Sequence, residues 1–231
     1  MAPIALQKGG RSHRVSIRSR SRAPCPHICP GQRLFLTFVF QVEVDKKLTG
    51  SAGEHLVCGV LAQFNWAATL TREGVARTDV LAVNAETSRT VSLQIKTAWG
   101  KTGRLANWLL GNVLLSTAPS EWYVMVKLEG PAPAHCRYFV VPRDHVAAAS
   151  WISHQNWLTD PSATPGTRNA PQAQARVDET VFVSYENRWE LLNESTDDVP
   201  VLLPGLLREW ALRERVGMPP GHPWRKTLPD W

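Results

Sequence analysis

Apolar residues recur at helical spacing in the segment that begins near residue 50. The spacing predicts a helix over residues 51–65. Ser51 is expected to cap its N-terminus, with Glu54 three residues later as the reciprocal acid of a capping box. The apolar stripe of this helix consists of Leu56, Val57, Val60, Leu61 and Phe64.

Short apolar runs separated by turn residues follow this helix. Residues 66–70 and 80–83 are predicted strands, and residues 84–89 a polar turn. Residues 90–97 alternate strictly between apolar and polar, which is typical of a strand with one buried face. The apolar face holds Val91, Leu93 and Ile95, and the polar face holds Ser92, Gln94 and Lys96.

Two more strands are predicted over residues 122–128 and 138–141, and Asp144 is expected to cap a helix that reaches Trp157. The order helix, strands, helix indicates an α/β or α+β fold. The chain divides into a basic arm over 1–47, a core over 48–158, a linker or loop rich in Pro, Ser, Thr and Ala over 159–175, and a C-terminal extension over 176–231. We expect the extension, with an amphipathic helix from about Leu206, to pack on the core.

Charge is distributed unevenly along the chain. Residues 1–42 contain seven basic residues and no acid, whereas residues 43–231 contain 19 basic and 20 acidic residues. Such an arm buries too little apolar surface to order itself, so residues 1–40 are expected to pack little against the body. A translated upstream region, with the true start near Val42 or Val44, is favoured over a targeting segment.

Four cysteines stand at spacings that do not form a disulfide framework, which favours a reducing, cytoplasmic environment. Cys25, His27 and Cys29 lack the second ligand pair of a zinc site. No apolar run approaches the roughly 20 residues of a membrane span, so no membrane partner is expected.

If residues 79–96 form a hairpin, the polar face of residues 90–97 lies beside Asp79 of the preceding strand. With Val83 opposite Thr90, Asp79 lies opposite Gln94, and opposed residues share a face of the sheet. Lys96 follows two residues later and points the same way. A carboxylate, an amide and an ammonium group then meet at the open end of the hairpin.

These groups suit phosphodiester hydrolysis, which needs an activated water and a place for negative charge. A hard cation held by oxygen ligands supplies both. Asp79 would be the principal ligand, with the Ile95 carbonyl as another and Glu54 as a second carboxylate. Lys96 would orient the water or stabilise phosphate charge.

Glu54, Asp79 and the Gln94-Ile95-Lys96 run, in this order on a helix and two strands, resemble the PD-(D/E)xK or restriction-endonuclease-like nuclease superfamily, in its QxK variant. The resemblance covers residues 48–158. It implies a central mixed sheet flanked by helices, and Mg²⁺-dependent (or Mn²⁺-dependent) cleavage of nucleic acid, here DNA. Thr78 replaces the proline of the family name.

Gln94 offers a neutral oxygen where the superfamily usually has a charged one, and affinity for a hard cation rises with ligand charge. Two hypotheses therefore stay open: a metal-dependent endonuclease-like enzyme, and an inactive module of the same fold that binds nucleic acid or a protein partner. A homodimer is a further option. Candidate phosphate contacts near the site are Arg72, Arg77, Lys101 and Arg104.

Overall fold

The computed structural model describes residues 45–72, 75, 77–100, 104–129 and 136–231. The described secondary structure comprises three α-helices, seven strands and several short 3₁₀ helices. The predicted basic arm falls almost entirely outside these residues, as do Lys101 and His135. The elements are α1 (Lys46–Gln63), β1 (Trp66–Leu70), β2 (Val80–Asn84), β3 (Thr90–Gly100), β4 (Asn107–Leu109), β5 (Glu121–Glu129), β6 (Cys136–Pro142), α2 (Arg143–Leu158), β7 (Arg176–Asp178) and α3 (Gly205–Ala211).

A five-stranded sheet with the order β1-β2-β3-β5-β6 forms the centre of the fold. The β3–β5 pair is parallel, and the other three pairs are antiparallel. The predicted α+β class, with a central mixed sheet and flanking helices, is therefore confirmed. No helix in the described part of the chain combines the length and the apolar character that a membrane crossing demands.

Helices α1 and α2 lie on opposite faces of this sheet. Helix α1 packs against β1 and β3 through the buried side chains Val57 and Leu61 and the buried Gly53. Helix α2 begins directly after β6 and sends Arg143 across the other face to Gln94. Strand β5 lies between the two helices, and eight of its nine residues are buried.

Both predicted helix caps are wrong. Helix α1 begins five residues before Ser51, and the carboxylate of Asp45 accepts the Lys47 N–H at 2.7 Å in the capping role. Helix α2 begins after Pro142 without a side-chain cap. The carboxylate of Asp144 instead accepts the N–H of Ser116 at 2.7 Å, which ties a distant loop to the start of α2.

Residues after 158 contact the core at several points. Strand β7 pairs with β4 in a small second sheet that the sequence pattern did not predict. A short 3₁₀ helix over Trp189–Asn193 buries Trp189, Leu191 and Leu192. The predicted helix at Leu206 is present as the short α3. The loop before β7 contacts α2, where His154 Nε2 lies 3.0 Å from the Ala170 carbonyl oxygen.

Candidate metal and phosphate site

The β2–β3 pairing follows the predicted register. Val80 is paired with Leu93 and Val83 with Thr90. Asp79 precedes the first paired residue of β2, and its N–H donates to the Leu93 carbonyl at 2.9 Å. This bond departs from the register of the paired residues, so the predicted pairing of Asp79 with Gln94 is not among the observed β-pairs, and β3 runs on beyond Leu93 without β2.

The carboxylate of Asp79 is held by the backbone of β3. Its Oδ2 accepts the N–H of Ile95 at 2.7 Å. The N–H and C=O of one strand residue point to the same side, so the Ile95 carbonyl also faces the Asp79 side. No residue of β2 is paired at that level, because the pairing begins at Val80 and Leu93. The Asp79 carboxylate and the Ile95 carbonyl oxygen therefore face the same space, which no paired residue of β2 fills.

Glu54 approaches Asp79 from helix α1. Partial burial raises the pKa of the Glu54 carboxyl, and the nearby charge of Asp79 raises it further, while His55 acts in the opposite direction. The helix comes this close because Gly53 has no side chain: a Cβ there would lie 2.0 Å from Thr97 Oγ1 on β3. Two carboxylates from separate elements thus lie near each other.

Gln94 and Lys96 are both half-buried on β3, on the face opposite α1. Gln94 Oε1 accepts a hydrogen bond from Arg143 Nη1 at 3.2 Å. Lys96 forms no ion pair with any residue that the structure describes. Its ammonium charge is therefore available to a ligand.

Arg143 is the main residue of this region that the sequence analysis did not predict. Only 1% of this residue is exposed. Its Nε lies 2.7 Å from Glu121, its Nη2 donates to the Arg77 carbonyl at 2.6 Å, and its guanidinium stacks over Tyr123 at 4.8 Å. Its partners are up to 66 residues away in sequence, and no local pattern indicates them.

Arg77 was predicted to contact phosphate, but it takes part in the same buried group. Its Nη2 lies 2.9 Å from Glu121 and also donates to the Leu115 carbonyl. Burial would raise the pKa of Glu121, but hydrogen bonds from Thr117 and the charges of Arg143 and Arg77 hold it below its ordinary value. Two guanidiniums therefore share one carboxylate.

The other predicted phosphate contacts that the structure describes, Arg72 and Arg104, are exposed. Trp108 is buried in the core, and its indole N–H donates to the Val126 carbonyl, whereas 45% of Trp99 is exposed. The buried His145 contacts the Tyr185 hydroxyl at 2.7 Å, and burial with the neighbouring charge of His222 lowers its pKa to about 3.

The donor set of this region fits a hard cation in part. Asp79, Glu54 and the Ile95 carbonyl supply oxygens of the kind that Mg²⁺ and Mn²⁺ prefer. Gln94 is less suited to this role, because its oxygen already accepts from Arg143. Among the described residues, no three His, Cys, Asp or Glu side chains gather into one metal-binding group. A cation here would rely on two carboxylates, backbone carbonyl and water.

A cavity of about 1070 Å³ lies at the other end of α2, between that helix, β7 and α3. Trp157, Arg168 and Trp210 are among its lining residues, and none of the predicted site residues borders it. The candidate site lies instead at the start of β2, beside the central strand β3.

Comparisons with known proteins add little to this picture. No protein-family model matches the chain, and no curated protein matches it. One similar solved structure is a bacterial homing endonuclease, which is 12% identical and aligns over 44% of this chain and 71% of its own length with a TM-score of 0.33. A likeness of this strength does not bear on function.

Proposed function

We propose that this chain is a divalent-metal-dependent nuclease that hydrolyses phosphodiester bonds in DNA. The observation that carries the proposal is the proximity of the Glu54 and Asp79 carboxylates, which come from helix α1 and from the residue that precedes β2. Two carboxylates whose charges repel are destabilising unless a cation or a proton joins them. Lys96, on the neighbouring strand β3, would supply an ammonium group suited to phosphate.

Each residue has a distinct role in this proposal. Asp79, fixed by the Ile95 N–H, and Glu54 would hold Mg²⁺ or Mn²⁺ together with the Ile95 carbonyl. The bound cation would lower the pKa of a water molecule and neutralise charge on the phosphate. Lys96 would orient that water or stabilise charge on the transferring phosphoryl group. The hydrogen bond from Ile95 keeps Asp79 in place before the substrate arrives, so no reorganisation is needed.

Supercoiled plasmid incubated with Mg²⁺ or Mn²⁺ tests the proposal. The wild type is expected to nick or linearise the plasmid, EDTA to abolish cleavage, and Asp79→Ala to be inactive. Asp178→Ala is a matched control, because Asp178 is an exposed acid on β7 whose carboxylate accepts from Asn107. Equal cleavage by wild type and Asp79→Ala would contradict the proposal.

One observation favours a second candidate, an inactive module of this fold that only binds nucleic acid or a protein. Gln94, at the position that usually carries a metal-binding acid in the resembled superfamily, already gives its oxygen to Arg143. The module would bind a DNA duplex equally well with Mg²⁺ and with EDTA, and Asp79→Ala would leave that affinity unchanged. Loss of metal-dependent cleavage in Asp79→Ala excludes this alternative.

A further inference from the structure

We propose that Gln94 serves as a hydrogen-bond donor to a phosphodiester oxygen rather than as a metal ligand, and that Arg143 is the positioning residue that fixes its amide. The inference rests on the proposed nuclease function, because it names how the same site holds its substrate. It assigns Gln94 a role different from the one that the sequence predicted.

The orientation of the Gln94 amide follows from the chemistry of its neighbour. A guanidinium group carries only donors, so the amide atom 3.2 Å from Arg143 Nη1 must be the oxygen. The amide nitrogen therefore points away from Arg143. Gln94 is half-buried, its amide nitrogen has no hydrogen-bond partner among the described residues, and this nitrogen is not among the fully buried atoms left without a partner there. What it offers to a ligand is two N–H donors.

Arg143 is held too firmly to release Gln94. Only 1% of the residue is exposed, and it contacts Glu121, the Arg77 carbonyl and the ring of Tyr123. A guanidinium cannot lose its proton in a protein, so this donor persists at every working pH. The Gln94 oxygen is consequently occupied in the free protein.

The guanidinium beside Gln94 favours an anion over a cation at its amide. Arg143 and Arg77 share the single carboxylate of Glu121, so these three side chains carry one net positive charge, while the Asp79 carboxylate acts on Tyr123 in the same region. A metal ion on the Gln94 oxygen would have to share it with a guanidinium nitrogen 3.2 Å away. A phosphate oxygen on the amide nitrogen would instead be attracted by both Arg143 and the neighbouring Lys96.

This arrangement predicts an unusual result for Gln94→Glu. If Gln94 were a metal ligand, the added charge would tighten Mg²⁺ binding. In the proposed arrangement the new carboxylate pairs with Arg143, so the melting temperature rises, Mg²⁺ affinity stays unchanged, and phosphate affinity falls because the N–H donors are lost. Loss of a hydrogen bond to a charged group corresponds to about tenfold weaker binding or more.

The test follows the side-chain NH₂ signals of Gln94 by nitrogen-15 NMR, identified by their loss in Gln94→Glu. Inorganic phosphate titrated without metal is expected to move these signals, and Mg²⁺ alone is expected to leave them in place. In Arg143→Lys, whose ammonium cannot hold the amide in the same way, phosphate is expected to bind about tenfold more weakly. Arg89→Lys is the control, because Arg89 Nε donates to the Leu192 carbonyl away from the site.

Two results would overturn the inference. One is movement of the Gln94 signals with Mg²⁺ but not with phosphate, and the other is tighter Mg²⁺ binding by a Gln94→Glu protein of unchanged stability. Because Gln94→Glu retains an acceptor for Arg143, it answers the question even if Arg143→Lys does not fold. A wild type that shows the phosphate response but cleaves no plasmid would refute the nuclease proposal while leaving the donor role of Gln94 intact.

Discussion

Two groups of polar and charged residues on or beside the central sheet are built in opposite ways. The first, which we call the outer ion cluster, consists of Lys127, Glu129, Arg137, Glu179 and Glu186. The second, which we call the site cluster, consists of Glu54, Asp79, Gln94 and Lys96. In the outer ion cluster every charge has a close opposite charge. In the site cluster the two acids repel each other, and the base has no partner among the described residues.

The pKa values reflect this difference. Burial would raise the pKa of Glu179, but the Ala106 N–H and the charges of Lys127 and Arg137 hold it below its ordinary value. Burial and the charge of Asp79 raise the pKa of Glu54. The outer ion cluster is therefore satisfied by the fold itself, whereas in the site cluster the repulsion between Glu54 and Asp79 is what a bound cation would relieve under the proposed function. Groups whose pKa values are shifted by burial and by a neighbouring like charge are concentrated at binding and catalytic sites.

Removing a charge from the outer ion cluster should have the largest effect. Glu179 is 2% exposed and lies 2.9 Å from Lys127 Nζ. Glu179→Ala removes one of the two acids that pair with this buried ammonium, leaves only the more exposed Glu129 there, and deprives the Ala106 N–H of its acceptor, so we expect the free energy of unfolding to fall by about 3–5 kcal/mol. Among the described residues the Asp79 carboxylate accepts one hydrogen bond and forms no ion pair, so Asp79→Ala should cost about 1 kcal/mol. Urea denaturation compares the two, and an equal loss would contradict the distinction between the clusters.

The second effect is on rate rather than stability. Lys96→Ala should lower the single-turnover cleavage rate about 10²-fold, the scale for one preorganised group that stabilises charge. Metal affinity should stay the same or rise, since Lys96 repels a cation. Lys226→Ala, at an exposed position near the C-terminus, is the control and should cleave normally. A Lys96→Ala protein with full activity would make this residue part of a solvated strand face.

Helix α1 offers a third test with an internal control. Gly53→Ala places a Cβ against Thr97 Oγ1, so the helix must shift from β3, at a cost of about 1–3 kcal/mol for overpacking. The shift should also carry Glu54 away from Asp79 and weaken metal binding. Gly59→Ala, where nothing lies within 4 Å of an added Cβ, should instead stabilise the helix by about 0.5–1 kcal/mol. Thermal melts and metal titrations of both variants give the comparison.

The smallest effect concerns Glu54 itself. Because its folded-state pKa is raised, its ionised form costs stability, and the cost grows as the pH rises from the ordinary value of 4.5 through the raised pKa. Glu54→Gln should therefore raise the melting temperature at pH 7. It should leave the melting temperature unchanged well below pH 4.5, where Glu54 is protonated and as neutral as the glutamine that replaces it. Glu209→Gln, at an exposed position on α3, should show no such pH dependence. A lower melting temperature for Glu54→Gln at pH 7 would count against repulsion in the site cluster.

The hairpin could be predicted from the sequence because its determinants are local. Strict alternation over residues 90–97 and a short polar turn fix both register and facing, and the observed pairs Val80–Leu93 and Val83–Thr90 agree with them. The helical stripe with Val57 and Leu61 likewise placed Glu54 on a helix. Local periodicity was sufficient to bring Asp79 beside the strand that carries Gln94, where its carboxylate accepts the Ile95 N–H.

The rest depended on contacts between distant segments. Arg143 reaches Gln94 across 49 residues, and Glu179 meets Lys127 across 52. No periodic pattern indicates such pairs, since each residue alone resembles an ordinary surface charge. The cap at Asp45 was missed for a different reason: Ser51 and Glu54 matched a capping box inside a helix that begins earlier, where Asp45 supplies the same kind of oxygen.

The most direct test of the central claim is calorimetric titration of Mn²⁺ into the wild type, Asp79→Ala and Lys96→Ala. If the site cluster is a metal site completed by a cation, the wild type binds one equivalent, Asp79→Ala binds none, and Lys96→Ala binds at least as tightly as the wild type. Identical isotherms for the wild type and Asp79→Ala would contradict this account, because they would place any bound metal elsewhere and leave Glu54, Asp79 and Lys96 as structural residues.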